Sequence, residues 1–374
     1  MKQLESFTIE QFRGLKNLKL EGLGRINLLV GPNNSGKTTV LEALSCFSRP
    51  LDGLHWYFTA RRRGAVASAS RVEIIKWLFP QTQDSSPLRL CESGSVGFEA
   101  KGNSAVVSCR AEMTEVVGIS GSNQSGGGEG AEETVELSEA EKSDMAKARG
   151  ARLQLSIKTK DGHSERSKIT LWENRGLVRR ESRPQHALPS GFVSLCESRS
   201  DTGLASRFSD FRKEGLYEEA IDVLRILDPD IKAILVLTGP RDYPSLYIEH
   251  GRTGLTPLAM CGDGMRRAVL IALTVARVKG GILLVDEVES ALHVGALARV
   301  FGLLVTACRQ FDVQLFTTTH SLEALDAMLE VALPDKAIDL VSYRLENTPA
   351  KTEAVRLDEK TLANVRNELG QEVR

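Results

Sequence analysis

A chain of 374 residues, 41% of them hydrophobic, carries enough apolar side chain for a full core, which excludes global disorder. The formal net charge of −1 supplies no overall basic field of the kind that draws a protein to nucleic acid, though local patches stay open. The six cysteines, Cys46, Cys91, Cys109, Cys196, Cys261 and Cys308, are scattered without a CxxC pair, which excludes a disulfide frame or a zinc site and fits a reducing compartment.

Met1 to Glu10 carries charges where a secretory leader needs an apolar run, and no apolar stretch is long enough to span a bilayer, so a soluble cytoplasmic protein is expected. Phe7–Ile9 and Leu18–Leu20 read as short strands joined by the turn Phe12-Arg13-Gly14. Arg25 to Val30 is a continuous apolar strand of the buried kind, and it runs into Gly31-Pro32-Asn33-Asn34-Ser35-Gly36-Lys37-Thr38. A helix from Thr38 to about Phe47 follows, with Val40, Leu41 and Leu44 on one face.

The middle of the chain is less regular. Val72 to Phe79 is apolar and aromatic, and Val96–Phe98, Ala105–Cys109 and Leu153–Ile157 read as strands of an antiparallel sheet. Between them, residues 118–147 form a Gly/Ser-rich then acidic stretch, expected to be a flexible loop. Gly215 to Leu227 has helical spacing, Ile231 to Thr238 is a strand, and Gly251-Arg252-Thr253-Gly254 looks like a hairpin turn. The last third alternates helix and strand. Arg266–Val278 reads as a helix, and Ile282–Val285 as a buried strand ending in Asp286-Glu287. Ala296–Cys308 is a second helix, and Gln314–Thr318 a strand ending in Thr319-His320-Ser321, before a further helix. This alternation predicts a parallel sheet with crossover helices. Its first strand lies in the first tenth of the chain and its later strands in the last third, so the middle is inserted into one nucleotide fold. The expected division is 1–48, the first part of the nucleotide-binding domain; 49–190, a β-rich variable insertion; 191–265, a helical lobe; and 266–374, the second part.

Gly31 to Thr38 matches G-x-x-x-x-G-K-[ST] between a strand and a helix, as a phosphate-binding loop requires. Glycines let such a backbone curl so that its N–H groups converge on phosphate oxygens, and the helix N-terminus adds partial positive charge. Gly31, Asn33, Asn34, Ser35, Gly36, Lys37, Thr38 and Thr39 are therefore candidate ATP-binding residues, with Lys37 on the β- and γ-phosphates and Thr38 a ligand of Mg²⁺. Asp286 is the second candidate metal ligand. Glu287, one residue on, is placed to polarise an attacking water. Two acids after an apolar run more often cap a helix; a phosphate loop elsewhere in the chain favours the catalytic reading.

These motifs resemble those of the ABC ATPase superfamily. Asp286-Glu287-Val288-Glu289-Ser290-Ala291-Leu292-His293 is similar to its DEPTSALD block, departing at His293 where an aspartate is usual. The resemblance implies that His320 of Thr319-His320-Ser321 contacts the γ-phosphate as a switch histidine. Met260-Cys261-Gly262-Asp263-Gly264-Met265-Arg266-Arg267 resembles the signature turn, with Cys261 where serine is usual. Cys261, Gly262, Asp263 and Gly264 would then cap ATP held by a second subunit, which implies a homo-oligomer with composite sites. The Q-loop glutamine stays open among Gln81, Gln154 and Gln185.

Within that superfamily the closer likeness is to the SMC, RecF and OLD group. Phe12-Arg13-Gly14-Leu15-Lys16-Asn17, an Ile/Leu strand and GPNNSGKT resemble its N-terminal opening, and Arg13 joins the candidate nucleotide ligands on that likeness. No long heptad repeat lies between Lys37 and Asp286, which argues against an SMC arm. Leu322 to Arg374 is too short for the Toprim nuclease domain of OLD nucleases. The implied fold is an α/β P-loop ABC-type ATPase with a mixed or parallel sheet, an antiparallel β subdomain and a helical insertion. GDGMRR, DEVES-ALH and TTTHS together look most like stand-alone OLD-like ATPases, several of which serve anti-phage systems such as the PARIS type. That likeness implies an ATP- and Mg²⁺-dependent switch controlling a separate toxic effector, with a Toprim-like nuclease as one candidate. A RecF-like repair ATPase that binds DNA is the alternative. A scaffold that holds ATP without hydrolysing it is disfavoured by the intact Lys37, Asp286 and Glu287.

Overall fold

The computed structural model describes residues 2–63, 69–80, 94–119, 147–173, 186–194, 201–238, 244–290, 292–334, 338–348, 351–358 and 361–362. Its centre is a six-stranded sheet in the order β15-β14-β3-β13-β12-β8. The strands are β3 (Ile26–Val30), β8 (Ser190–Val193), β12 (Ile282–Val285), β13 (Gln314–Thr318), β14 (Leu340–Asn347) and β15 (Thr352–Asp358). The first five run parallel, and β15 closes the edge antiparallel to β14. Alternate residues of these strands enter two different cores, as a sheet covered on both faces requires. Leu283, Val285 and Leu315 pack to one side, and Ile282, Leu284 and Phe316 to the other.

On the first side lie α4 (Asp201–Lys213), α5 (Tyr217–Leu227), α6 (Asp263–Arg277), α7 (Val294–Gln310) and α8 (Leu322–Ala332). A three-stranded sheet, β11-β10-β9, shares that core through Ile231, Ile234, Leu246 and Ile248. It comprises β9 (Ile231–Thr238), β10 (Pro244–His250) and β11 (Gly254–Pro257). On the second side lie α1 (Lys37–Ser48), α2 (Gly53–Arg61), α3 (Arg71–Lys76) and an antiparallel sheet in the order β2-β1-β4-β5-β6-β7. Those strands are β1 (Leu4–Phe12), β2 (Leu15–Glu21), β4 (Ser95–Gly102), β5 (Val106–Ile119), β6 (Lys147–Thr159) and β7 (Ser164–Trp172). Its inner face meets α1 and α2 through Phe7, Phe12, Phe47, Trp56 and Phe98, with ring centroids 5.4–6.0 Å apart.

One buried side chain ties the two sheets together. Gln314, at the start of β13, donates to the carbonyls of Leu4 and Gly24, both at 2.8 Å, and accepts from the backbone N–H groups of Gln3 and Leu4. All of its hydrogen-bonding capacity is used, so a polar residue can sit 1% exposed without penalty.

The α/β class and the antiparallel subdomain follow the expectation. Several elements differ in extent. The stretch read as a flexible loop over 118–147 is strand at both ends, with Gly118 paired to Ala148 and Ile119 to Lys147; its interior, 120–146, lies outside the described residues. The helix read from Arg266 begins at Asp263, because Gly262 takes φ +82°, a conformation that suits glycine, and ends the preceding 3₁₀ turn. The two strands of 340–358 and the helix of 53–61 escaped the sequence reading. No described helix is long and apolar enough to cross a membrane.

Candidate functional site

The C-terminal ends of β3, β13 and β12 lie side by side, and every motif of the first part of the site sits on them. This is the edge where open α/β sheets bind ligands. The loop after β3 curls tightly. Gly31 has φ +140° and Gly36 φ +95°; a Cβ would lie 2.6 Å from the Leu345 carbonyl at the first and 2.8 Å from the Leu15 side chain at the second. Asn34 takes φ +65°, which asparagine tolerates better than most residues. Lys37 folds over this loop, its ammonium donating to the carbonyls of Gly31 (2.7 Å) and Pro32 (2.9 Å). Burial lowers its pKa, opposed by the charges of Asp286, Glu289 and Glu287.

Thr38 and Asp286 stand 248 positions apart in sequence and touch. The Thr38 hydroxyl lies 3.1 and 3.2 Å from the two Asp286 carboxylate oxygens. Thr318, at the end of β13, donates to the same carboxylate at 2.7 Å and accepts from the Glu287 N–H at 2.8 Å. Burial raises the pKa of Asp286, against the pull of the Thr318 and Thr38 hydrogen bonds. Glu287 has φ +46°, a left-handed conformation unusual for a residue with a side chain. Arg267 on α6 holds that turn: fully buried, it donates from one terminal nitrogen to the carbonyls of both Asp286 and Glu287 at 2.8 Å. The Glu287 carboxylate accepts from Ser290 at 2.8 Å.

A cleft of about 390 Å³ brings together Asn33 to Thr39, Glu287, Thr318 and His320. His320, half exposed, is anchored by Glu289, which lies 3.2 Å from its Nδ1 and accepts its backbone N–H at 3.0 Å. A second cleft, of about 700 Å³, shares Asn34, Ser35, Gly36 and Thr39 with the first and continues along Arg13, Trp77, Phe79 and Asn347. Arg13 is paired with Glu42 at 2.9 Å and donates to the Trp77 carbonyl at 3.2 Å. Two features fit a Mg²⁺-bound polyphosphate. The Ser35 hydroxyl is buried in the loop without a hydrogen-bond partner. The Thr38 hydroxyl and Asp286 carboxylate form an all-oxygen pair suited to a hard cation.

Cys261, Gly262, Asp263 and Gly264 line neither cleft. They form the N-terminus of α6, with Gly262 and Asp263 exposed and Met260 beside them 78% exposed. His293, the departure from the usual block, is the N-cap of α7, its ring nitrogen accepting from the Gly295 N–H. Gln154 lies exposed on β6; Gln81 and Gln185 fall outside the described residues. Thr318, Glu289, Arg267 and Glu42 were not singled out by sequence reasoning. Thr318 adjoins a recognised motif, and Glu289 and Arg267 lie inside two others, which was the available signal; for Glu42, inside a helix, there was none.

Residues 132–326, just over half of the chain, match the family described as "AAA domain, putative AbiEii toxin, Type IV TA system", and residues 1–90 match the "AAA ATPase domain" family. An uncharacterised protein of Methanocaldococcus jannaschii is 39% identical over 71 residues, 19% of this chain and 62% of that protein. The DNA replication and repair protein RecF of Rickettsia felis is 48% identical over 44 residues, 12% of each chain. The chain thus spans less than two thirds of the length of these curated relatives. Among solved structures, the SMC head domain from Thermotoga maritima aligns over 96% of this chain and 100% of that one, at 14% identity and a TM-score of 0.43. The chain belongs to the AAA-domain family that its residues 132–326 match.

Proposed function

We propose that this AAA-domain protein binds and hydrolyses ATP with Mg²⁺, and that nucleotide state switches its grip on a separate effector protein in antiviral defence. The observation that carries the ATPase part is the chain of contacts Thr38–Asp286–Thr318–Glu287, which joins the two sequence-distant halves of the site beside a phosphate-shaped loop. In this reading Gly31, Asn33, Asn34, Ser35, Gly36 and Thr39 wrap the phosphates with backbone and side-chain donors. Lys37 leaves the Gly31 and Pro32 carbonyls for the β- and γ-phosphates. Thr38 and Asp286 would hold Mg²⁺, which would supply positive charge against the phosphate oxygens. Glu287 accepts a proton from the attacking water, and His320 contacts the γ-phosphate.

Cys261 to Gly264 are proposed to act on the ATP of a second subunit. Their support is the exposed, glycine-opened N-terminus of a 15-residue helix, whose free N–H groups suit an anion. Residues 1–48 and 266–374 would together build the nucleotide unit, with 49–190 and 191–265 as the inserted parts that face a partner, in the cytoplasm. Glu287→Gln and Lys37→Ala test the catalytic core: the first should bind ATP and lose most turnover, the second should lose affinity. Turnover by Glu287→Gln equal to wild type would remove Glu287 from the mechanism. The effector is tested by copurification with ATP-trapped Glu287→Gln; recovery of the ATPase alone would remove that part.

A second reading, an ATPase of the RecF type acting on DNA, is favoured by one feature besides the short RecF match. Among the described residues, the outward face of β5, β6 and β7 carries Arg110, Arg152, Lys158, Arg166 and Lys168 against Glu112, with Arg110 paired to Glu10 of β1. Salt-sensitive binding of duplex DNA, lost on reversing the charges of Arg166 and Lys168, would select it.

A further inference from the structure

Glu42 lies on α1, one turn beyond Thr38, and is 1% exposed. Its carboxylate holds two arginines from different segments. Arg13, after β1, approaches at 2.9 Å through Nε; Arg63, after α2, binds it twice, through Nε and one terminal nitrogen, each at 2.8 Å. One buried anion thus faces two cations, which leaves a surplus positive charge beside the phosphate loop. A carboxylate needing only neutralisation would be served by Arg13 alone. The terminal nitrogen of Arg63 that binds Glu42 also donates to the Thr39 hydroxyl at 2.8 Å. The other, Nη1, has no hydrogen bond among the described residues. Arg63 is 44% exposed and lines both the cleft of Lys37, Glu287 and His320 and the longer cleft of Arg13 and Trp77.

We propose that Arg63, aimed by the buried Glu42 carboxylate, is a ligand of the nucleotide's α-phosphate. This rests on the ATP reading of the same site. Lys37, Thr38, Glu287 and His320 surround the terminal-phosphate end in that reading, and Trp77 and Arg13 lie along the other cleft. Arg63 and Thr39 stand where the two clefts meet, which is where the first phosphate must lie. A guanidinium fixed on two edges by a carboxylate presents its remaining N–H groups in one direction, so little rotamer freedom is lost when a phosphate binds. Glu42 is then a positioning residue, and Arg63 the group that touches the ligand.

The test is calorimetric binding of ATP and of ADP to wild type, Arg63→Ala and Arg63→Lys, with the unfolding midpoint of each ligand-free protein as a control. Loss of a charge-assisted contact to phosphate should weaken both nucleotides about tenfold or more in Arg63→Ala. Arg63→Lys, which keeps the charge without the fork, should fall between. Turnover at saturating ATP should change far less than KM. Unchanged affinity for both nucleotides in a folded Arg63→Ala, with only a lowered unfolding midpoint, would overturn the proposal. Loss of ATP binding with ADP binding intact would also overturn it, by moving the contact to the γ-phosphate. Failure of wild type to bind either nucleotide would instead refute the ATP reading itself.

Discussion

Arg267 offers the sharpest separation of stability from catalysis. It is fully buried on α6, and its pKa is lowered by that burial, against the attraction of Glu289, Asp286 and Glu287. Arg267→Met keeps the length of the side chain and removes the two 2.8 Å hydrogen bonds to the Asp286 and Glu287 carbonyls. Each such charge-assisted bond contributes about 1.5–3 kcal/mol, so the gross loss is roughly 3–6 kcal/mol. Part of this is returned, because Nε and Nη1 of Arg267 are buried without partners and their desolvation cost disappears with the guanidinium. A net destabilisation of about 2–3 kcal/mol is expected, readable as a lowered urea midpoint at constant slope. Turnover should fall further than folding does. The two carbonyls flank the φ +46° turn that aims Glu287, and a loosened turn misplaces the base. ATP affinity should stay within a few-fold, because the hydrogen bonds of Arg267 go to the Asp286 and Glu287 carbonyls and none goes to the described residues 31–39. Turnover equal to wild type in folded Arg267→Met would refute the claim that Arg267 positions Glu287, whatever the stability.

Composite sites predict complementation. Gly264→Arg, at the exposed end of α6, should bind ATP and lack turnover, and mixing it with Lys37→Ala should restore about a quarter to a half of the activity once subunits exchange; no recovery after proven exchange removes the shared site. Cys261 supplies an independent reporter. Half-buried, with its thiol pKa raised by burial, it should alkylate slowly at pH 8, and more slowly still when ATP and Glu287→Gln close the interface. Equal alkylation of the Cys261 peptide with and without ATP would argue that nothing docks there. Cys308, fully buried with its thiol pushed up to about 12, should stay unmodified in both conditions and react only on unfolding.

The strands and the phosphate loop were legible because their signals are local. A five-residue apolar run is buried on both faces wherever it is placed, and a glycine-flanked loop ending in Lys-Thr needs only its own backbone to curl. The pairing of Thr38 with Asp286 was inferred from motif order, and the hydrogen bonds that make it are consistent with that inference. What tertiary structure alone decided is which polar side chains share a space. Glu42 lies within a helix of mostly apolar sequence, Arg63 follows a second helix and Arg13 sits in the turn of a hairpin; no spacing rule connects residues 13, 42 and 63. Arg267 stands in sequence only as the last residue of the stretch Met260–Arg267, and becomes a fully buried clamp only because the fold brings α6 to the turn after β12, where it meets the Asp286 and Glu287 carbonyls. Local sequence sets the backbone's choices through sterics and periodicity. The meeting of buried charges is set by how helices and strands from distant parts of the chain pack, since in a low-dielectric interior each charge must find its partner wherever the fold brings one.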